Sequence, residues 1–273
     1  MSPAAGITLK QLVKAASSPY KAGLAVLPGA RAVTERLAWR SQSSLCLPTP
    51  LAIVRHSSAQ APATSLPVLE TSAAAFWRAA GMQDAAASDR VALALALPDA
   101  PTLAASPGVL LACNSIQDPY NMGSIMRTAA AFGVQGVLTD LDSAAPYSAK
   151  VARCSAGLSL RTQHTRAAST TAFIDQLTAW HHAGAQVWAL AAPGPGLQLS
   201  PGQVITRAHS DARREQAACH VLVLGNEGQG IHPAVAAACS GHIHIGMAPS
   251  VESLNVAAAC AVALSHAQQQ LAT

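Results

Sequence analysis

A chain of 273 residues, 51% apolar and only 11% charged, can bury a core in one large domain or two ordinary ones, which excludes disorder as its default state. Its longest small-apolar stretch, Val256 to Leu264, is about half of what a membrane span needs, so a soluble protein is expected. The net charge of +4 is uneven: within residues 1–83, Lys10, Lys14, Lys21, Arg31, Arg36, Arg40, Arg55 and Arg78 face only Glu35 and Glu70, which points to a polyanionic partner or to a solvated surface that happens to use Arg.

Thr8-Leu-Lys-Gln-Leu-Val-Lys14 reads as a first helix. No apolar signal core precedes it; residues 1–34 lack acids, as transit peptides do, but a folded first helix favours the cytoplasm. Short strands then alternate with helical patches: Gly23–Leu27, a helix over Arg31–Trp39, Leu51–Val54, a helix over Ser72–Ala80, and Val91–Leu97. Part of Gln42–Leu69, rich in Pro and Ser, reads as loop. Residues 1–97 therefore form a small α/β domain, and the Pro/Ala/Ser-rich stretch 98–108 is a linker.

Over residues 109–273 the alternation is more regular. Strand Val109–Cys113 leads to a helix ending at Phe132, with Gly133 as its stop. Strand Gly136–Thr139, a helix to about Ser155, a helix over Thr171–Ala183, strands Gln186–Ala191 and His220–Leu224, a short helix from Pro233, strand His242–Met247 and a final helix from about Ser253 complete the run. Such alternation predicts a parallel sheet with helices on both faces. Pro193–Ala218 reads as a long mobile loop. The six cysteines show neither CxxC pairing nor ligand spacing and read as buried free thiols in a reducing compartment. His242 and His244 share a strand side without a third ligand, so no metal is expected.

Three blocks carry chemistry, each where an apolar run gives way to a Gly- or Asn-rich turn, the ligand-binding end of an α/β sheet. In Asn114-Ser-Ile-Gln-Asp-Pro-Tyr-Asn-Met-Gly-Ser-Ile-Met-Arg127, Asn121 is placed to cap the next helix, and Arg127 falls among apolar neighbours. That lone cation needs an anionic ligand, or carbonyls or a carboxylate such as Glu227. In Val221-Leu-Val-Leu-Gly-Asn-Glu-Gly-Gln-Gly-Ile231, glycines bracket Asn226-Glu227; the block is neither a P-loop nor the dinucleotide fingerprint, and Glu227 suits a cation or a hydroxyl. A plain tight turn is the alternative. In Ile245-Gly-Met-Ala-Pro-Ser-Val-Glu-Ser-Leu-Asn-Val256, Ser253 and Asn255 open an apolar helix that must be buried against the sheet or another subunit; Ser253 as a simple N-cap is the plainer reading.

In order and content the blocks resemble the three signature motifs of the SpoU (TrmH-type) RNA 2′-O-ribose methyltransferases of the SPOUT superfamily, over roughly residues 108–273. The resemblance implies a parallel α/β sheet whose C-terminal chain threads a trefoil knot, S-adenosylmethionine (SAM) as methyl donor bound in that knot, and a homodimer packed through it. By matching positions it implies cofactor contacts from Leu224, Gly225, Gly230, Ile245, Met247 and Leu254, and a catalytic set of Asn121, Arg127, Glu227, Ser253 and Asn255. Arg127 would grip the RNA phosphate and polarise the ribose 2′-OH, Glu227 would orient Arg127, and Ser253 and Asn255 would hold the ribose, without a metal. Leu24-Ala-Val-Leu-Pro-Gly-Ala-Arg-Ala-Val-Thr-Glu-Arg-Leu37 resembles the strand–Gly–helix opening of the L30e-like RNA-binding extension in ribosomal-RNA members, with Pro28 for the usual acidic residue. This favours rRNA over tRNA. Gly246 replaces a usual proline, Pro249-Ser250 lie near a usual glycine, and Ser155-Ala-Gly-Leu158 replaces a usual Asn/Ser-Ala-Gly-Ala. A silent RNA-binding paralogue, or a generic NAD- or ATP-binding Rossmann protein, are the rival readings.

Overall fold

The computed structural model describes residues 6–39, 46–81, 90–191, 197–199, 219–248 and 250–271. The chain divides into two compact units, Met1–Asp99 with Ala145–Gln163, and Ala100–Ala144 with His164–Thr273. The first unit therefore takes back a segment from within residues 109–273.

Helix α1 (Leu9–Ser17) opens on a reciprocal cap: Thr8 Oγ1 accepts from the Gln11 N–H at 3.3 Å, and Gln11 Oε1 accepts from the Thr8 N–H at 2.8 Å. After α2 (Pro19–Ala22) come β1 (Leu24–Pro28), α3 (Ala30–Ala38), β2 (Thr49–His56), β3 (Val68–Thr71), α4 (Ala73–Ala80) and β4 (Val91–Ala96). The sheet order is β1-β4-β2-β3, antiparallel except for the parallel β2–β3 pair. Strand β3 begins inside the stretch read as partly loop. It is a four-residue strand paired only to β2, and its alternating exposed and half-buried residues give little apolar signal. Leu12, Phe76 and Ala79 pack with Val26, Val54 and Ala92, whereas Val33 packs with Leu27, Ile53 and Leu93, so both sheet faces are covered.

The second unit begins with β5 (Gly108–Cys113), α5 (Pro119–Ala131) and β6 (Gly136–Thr139). The chain then gives the first unit α6 (Ala149–Cys154) and a 3-10 turn (Leu158–Arg161). It resumes with β7 (His164–Arg166), α7 (Thr170–His182), β8 (Gln186–Leu190), β9 (Leu197–Leu199), β10 (Cys219–Leu224), α8 (Pro233–Ala237), β11 (Gly241–Ile245) and α9 (Val256–Leu271). All seven strands are parallel, in the order β7-β6-β5-β10-β8-β11-β9.

A parallel sheet is buried on both faces, which explains the nearly continuous apolar runs of β5 and β10. Leu110, Ala112, Val221 and Val223 pack on Phe173, Leu177 and Trp180 of α7. The alternate positions meet the other layer, where α9 packs on α5, β5 and β10. Strands β7 and β9 escape a periodic reading because each has three residues. Apart from Leu197–Leu199, the predicted mobile loop lies outside the described residues.

All six cysteines are free. Burial pushes the Cys219 thiol up to about 11, and those of Cys239 and Cys260 up to about 12. Among the described residues, no helix is long and apolar enough to cross a membrane, and no three His, Cys, Asp or Glu side chains cluster as metal ligands.

Candidate active site

The loops after β5, β10 and β11, with Ala191 at the end of β8, lie at the same end of a parallel sheet, which is where such folds gather ligands. The loop after β5 is held by a buried carboxylate that the sequence reading passed over. Asp140, just beyond β6, accepts from Asn114 Nδ2 at 2.7 Å and the Ser115 N–H at 2.8 Å through one oxygen. Its other oxygen takes the Ser143 N–H at 2.9 Å and Ser143 Oγ at 2.7 Å. Ser115, held this way, adopts a φ of 59°, unusual for a residue with a side chain.

The same loop is tied to the second block. Asn114 Oδ1 accepts from the His232 N–H at 2.8 Å, and Asn226 Nδ2 donates to the Ser115 carbonyl at 3.0 Å. Asn226 also closes its own turn, accepting from the N–H groups of Gly228 and Gln229 and exchanging two backbone bonds with Gly230. A Cβ at Gly225 would lie 2.5 Å from the Gly230 carbonyl carbon and the Ile231 nitrogen, so only glycine fits where this turn folds back.

A cavity of about 440 Å³ opens between Ala189–Ala191, Leu224–Ile231 and the segment Ile245–Ala259. Leu224, Gly225, Gly230, Ile245, Met247 and Leu254 line it, together with Glu227 and Ser253. His242, exposed, lines it as well, while His244 is buried. At its lip one polar row joins all three blocks. Asn255 Nδ2 donates to Asn121 Oδ1 at 2.9 Å, and Asn121 Nδ2 donates to Glu227 Oε1.

Several expectations are corrected. Asn121 does not cap α5; Asp118 does, accepting from the Tyr120 N–H at 3.1 Å with Pro119 at the first helical position, and Asn121 is free to bridge the other blocks. Arg127 is exposed rather than enclosed by apolar neighbours, and among the described residues it makes no ion pair. Glu227 holds Asn121, not Arg127. Helix α9 starts at Val256, where Asn255 Oδ1 accepts from the Ala257 N–H at 2.9 Å, so Ser253 is a cavity residue rather than a cap. Ser155 is fully buried, and its hydroxyl serves its own turn, accepting from the Ser159 N–H at 3.1 Å. Of the altered third block, Pro249 lies outside the described residues.

Asp140, Asn114 and Asn226 were the site-building side chains missed. Asp140 and Asn114 directly follow apolar strands and Asn226 follows one after Gly225, but their pairing across 26 and 111 positions leaves no local trace.

Comparison with known proteins agrees with this geometry. The model of the SpoU rRNA Methylase family matches residues 108–265. A tRNA/rRNA methyltransferase of Mycolicibacterium vanbaalenii, described as uncharacterized, is 36% identical over 166 residues, 61% of this chain and 48% of that protein. A similarly described Synechocystis protein is 35% identical over 160 residues, 59% of this chain and 53% of its own. The chain thus spans about half the length of the curated relatives it matches. Among solved structures, a Porphyromonas gingivalis protein assigned to the TrmH family of RNA methyltransferases is 26% identical with a TM-score of 0.70, covering 96% of this chain and 97% of that one. The SpoU methyltransferase AviRb of Streptomyces viridochromogenes, solved with its cofactor AdoMet, shares the fold at a TM-score of 0.73 and 18% identity over 97% of this chain and 98% of its own. With a family match over more than half its length, the chain belongs to the SpoU rRNA methylase family.

Proposed function

We propose that the protein transfers a methyl group from SAM to a ribose 2′-OH of RNA, rRNA in preference to tRNA, acting in the cytoplasm as a homodimer through its C-terminal unit. The observation that carries the reading is the polar row Asn121–Glu227–Asn255 at the lip of a cavity lined by all six positions expected to meet the cofactor. The cavity has the volume of a small-ligand site. Gly225 in its wall is fixed as glycine by the Gly230–Ile231 backbone folded against it, and Glu227 at the rim suits a sulfonium while repelling the phosphates of NAD or ATP.

SAM, when bound, supplies an electrophilic methyl that the 2′-oxygen takes as the carbon–sulfur bond breaks. The chain's own task is alignment and proton removal. Asn121 and Asn255 fix each other and present Glu227 toward the cavity, while Ser253 and Asn255 are placed to hold the ribose. Arg127, exposed two turns into α5, grips the adjacent phosphate, and the 2′-OH proton leaves to phosphate or solvent, since a guanidinium does not give up its own. A trefoil knot is supported by the pairing order: β10 lies between β5 and β8, and β11 between β8 and β9, each later in the chain than both neighbours. The dimer is supported by α9, whose small apolar face stays partly open.

Incubation with tritiated SAM and unmodified total RNA, followed by nuclease digestion, tests this. Labelled 2′-O-methylnucleosides are expected from wild type, and Arg127→Ala should lose about 100-fold or more in rate while SAM affinity holds within about twofold. Label on a base, or a variant as fast as wild type, would overturn the ribose chemistry or the role of Arg127 respectively.

A further inference from the structure

We propose that Arg36, Trp39 and Arg161 form a phosphate-binding site of the first unit that takes the backbone of the RNA substrate; the proposal rests on the RNA reading above. Arg36 sits in the last turn of α3 and Trp39 directly after it, three positions apart and so on one side. Arg161, from the 3-10 turn of the returning segment, meets the same ring. The two guanidinium carbons lie 5.0 and 5.4 Å from the Trp39 ring centre.

Among the described residues these cations have no ion-pair partner. Arg36 is only 6% exposed; its Nη2 donates to the Pro48 carbonyl at 2.6 Å, but its Nε is buried without an acceptor. The Nε of Arg161 is orphaned in the same way. Among the described residues the carboxylate acting on Arg161 is Glu35, which is bound to Arg31 at 2.8 Å and reaches Arg161 only through space. Burial draws both guanidiniums below the usual arginine range, and Arg161 pushes Arg36 further down.

Stacking on an indole returns less than is lost on withdrawing a guanidinium from water. A phosphodiester would close that gap, since its paired oxygens match the planar fork of an arginine and the buried setting strengthens the contact. The unit that holds the pair is also the one with the excess of basic groups. If Arg36 merely tied α3 to Pro48, Arg161 would have no reason to share its ring.

The test is fluorescence anisotropy of the full chain with a short fluorescein-labelled single-stranded oligouridylate, between about 50 and 200 mM salt. Arg161→Ala should weaken binding about tenfold and reduce the slope of log K against log salt by about 0.7, one phosphate contact, at an unchanged melting temperature. Arg161→Lys should recover the slope and only part of the affinity. Arg78→Ala, an exposed cation of the same unit, should move the slope less. Equal effects of Arg78→Ala and Arg161→Ala, or an unchanged slope in Arg161→Ala, would overturn the site. Displacement of the oligonucleotide by millimolar inorganic phosphate would make free phosphate the ligand and overturn the RNA assignment. Methyl transfer to total RNA by the same wild-type preparation separates the failures. If wild type methylates and the slope is unchanged, only the site falls; if it neither binds nor methylates, the RNA reading falls with it.

Discussion

The first unit folds a four-stranded mixed sheet, the second seven parallel strands, and the two directions of pairing place polar groups differently. Parallel strands end together, so the ends of β8, β10 and β11 converge in the second unit, and Asn226, Glu227 and Ser253 line one cavity. In the mixed sheet β4 runs against both its neighbours, and strand ends are scattered over two edges. Its concentrated chemistry is instead at a helix end, completed by residues 145–163. A parallel sheet makes a site as a by-product of its topology, whereas a mixed one needs chain brought in from elsewhere.

The sharpest way to separate the two is to damage one core. Phe76, fully buried in the first unit, should cost about 3–5 kcal/mol on substitution by Ala, read in urea unfolding. SAM affinity of the folded fraction should stay within about twofold, because the cavity is built wholly from the second unit; a large loss would break the comparison. Gly225→Ala is the reverse experiment. The new methyl must displace backbone, so SAM binding should weaken by about 1–3 kcal/mol, roughly 5- to 150-fold, with oligouridylate binding intact.

Acid should also choose between the units. Burial, then Arg166, holds His164 of the second unit neutral, with its pKa down to about 3 against 6.5 for the free side chain. The unfolded chain thus takes up a proton near 6.5 that the fold refuses until about 3, and stability falls as pH drops through this window. Between pH 7 and pH 5 the loss should be about 2 kcal/mol in wild type and smaller in His164→Gln, measured by urea midpoints. An equal pH slope in both proteins would remove His164 as its source.

Strands β5, β6, β8 and β10 were legible because burial on both faces writes itself as apolar runs bounded by Gly, Asn or Pro. The six cavity positions were legible through the motif blocks that contain them. What could not be read was partnership. Asn121 looked like a cap because Asn favours that place, but Asp118 precedes the proline and takes it. Glu227 was matched with Arg127 on charge and on the motif resemblance, whereas the amide of Asn121 holds its oxygen. Asp140 and Arg161 are ordinary residues in the sequence, and only the fold brings Asn114 to one and Trp39 to the other.

The pairing of β10 between β5 and β8 has a consequence for synthesis. A nascent chain that has emerged as far as residue 218 contains β5 and β8 but not the strand that joins them. Each then presents a bare edge of unpaired N–H and C=O groups, the template on which sheets of neighbouring chains add to one another. Until Cys219–Leu224 emerges and inserts, the half-made parallel sheet is at its most prone to aggregate, and slowed translation over the preceding residues would lengthen that exposure.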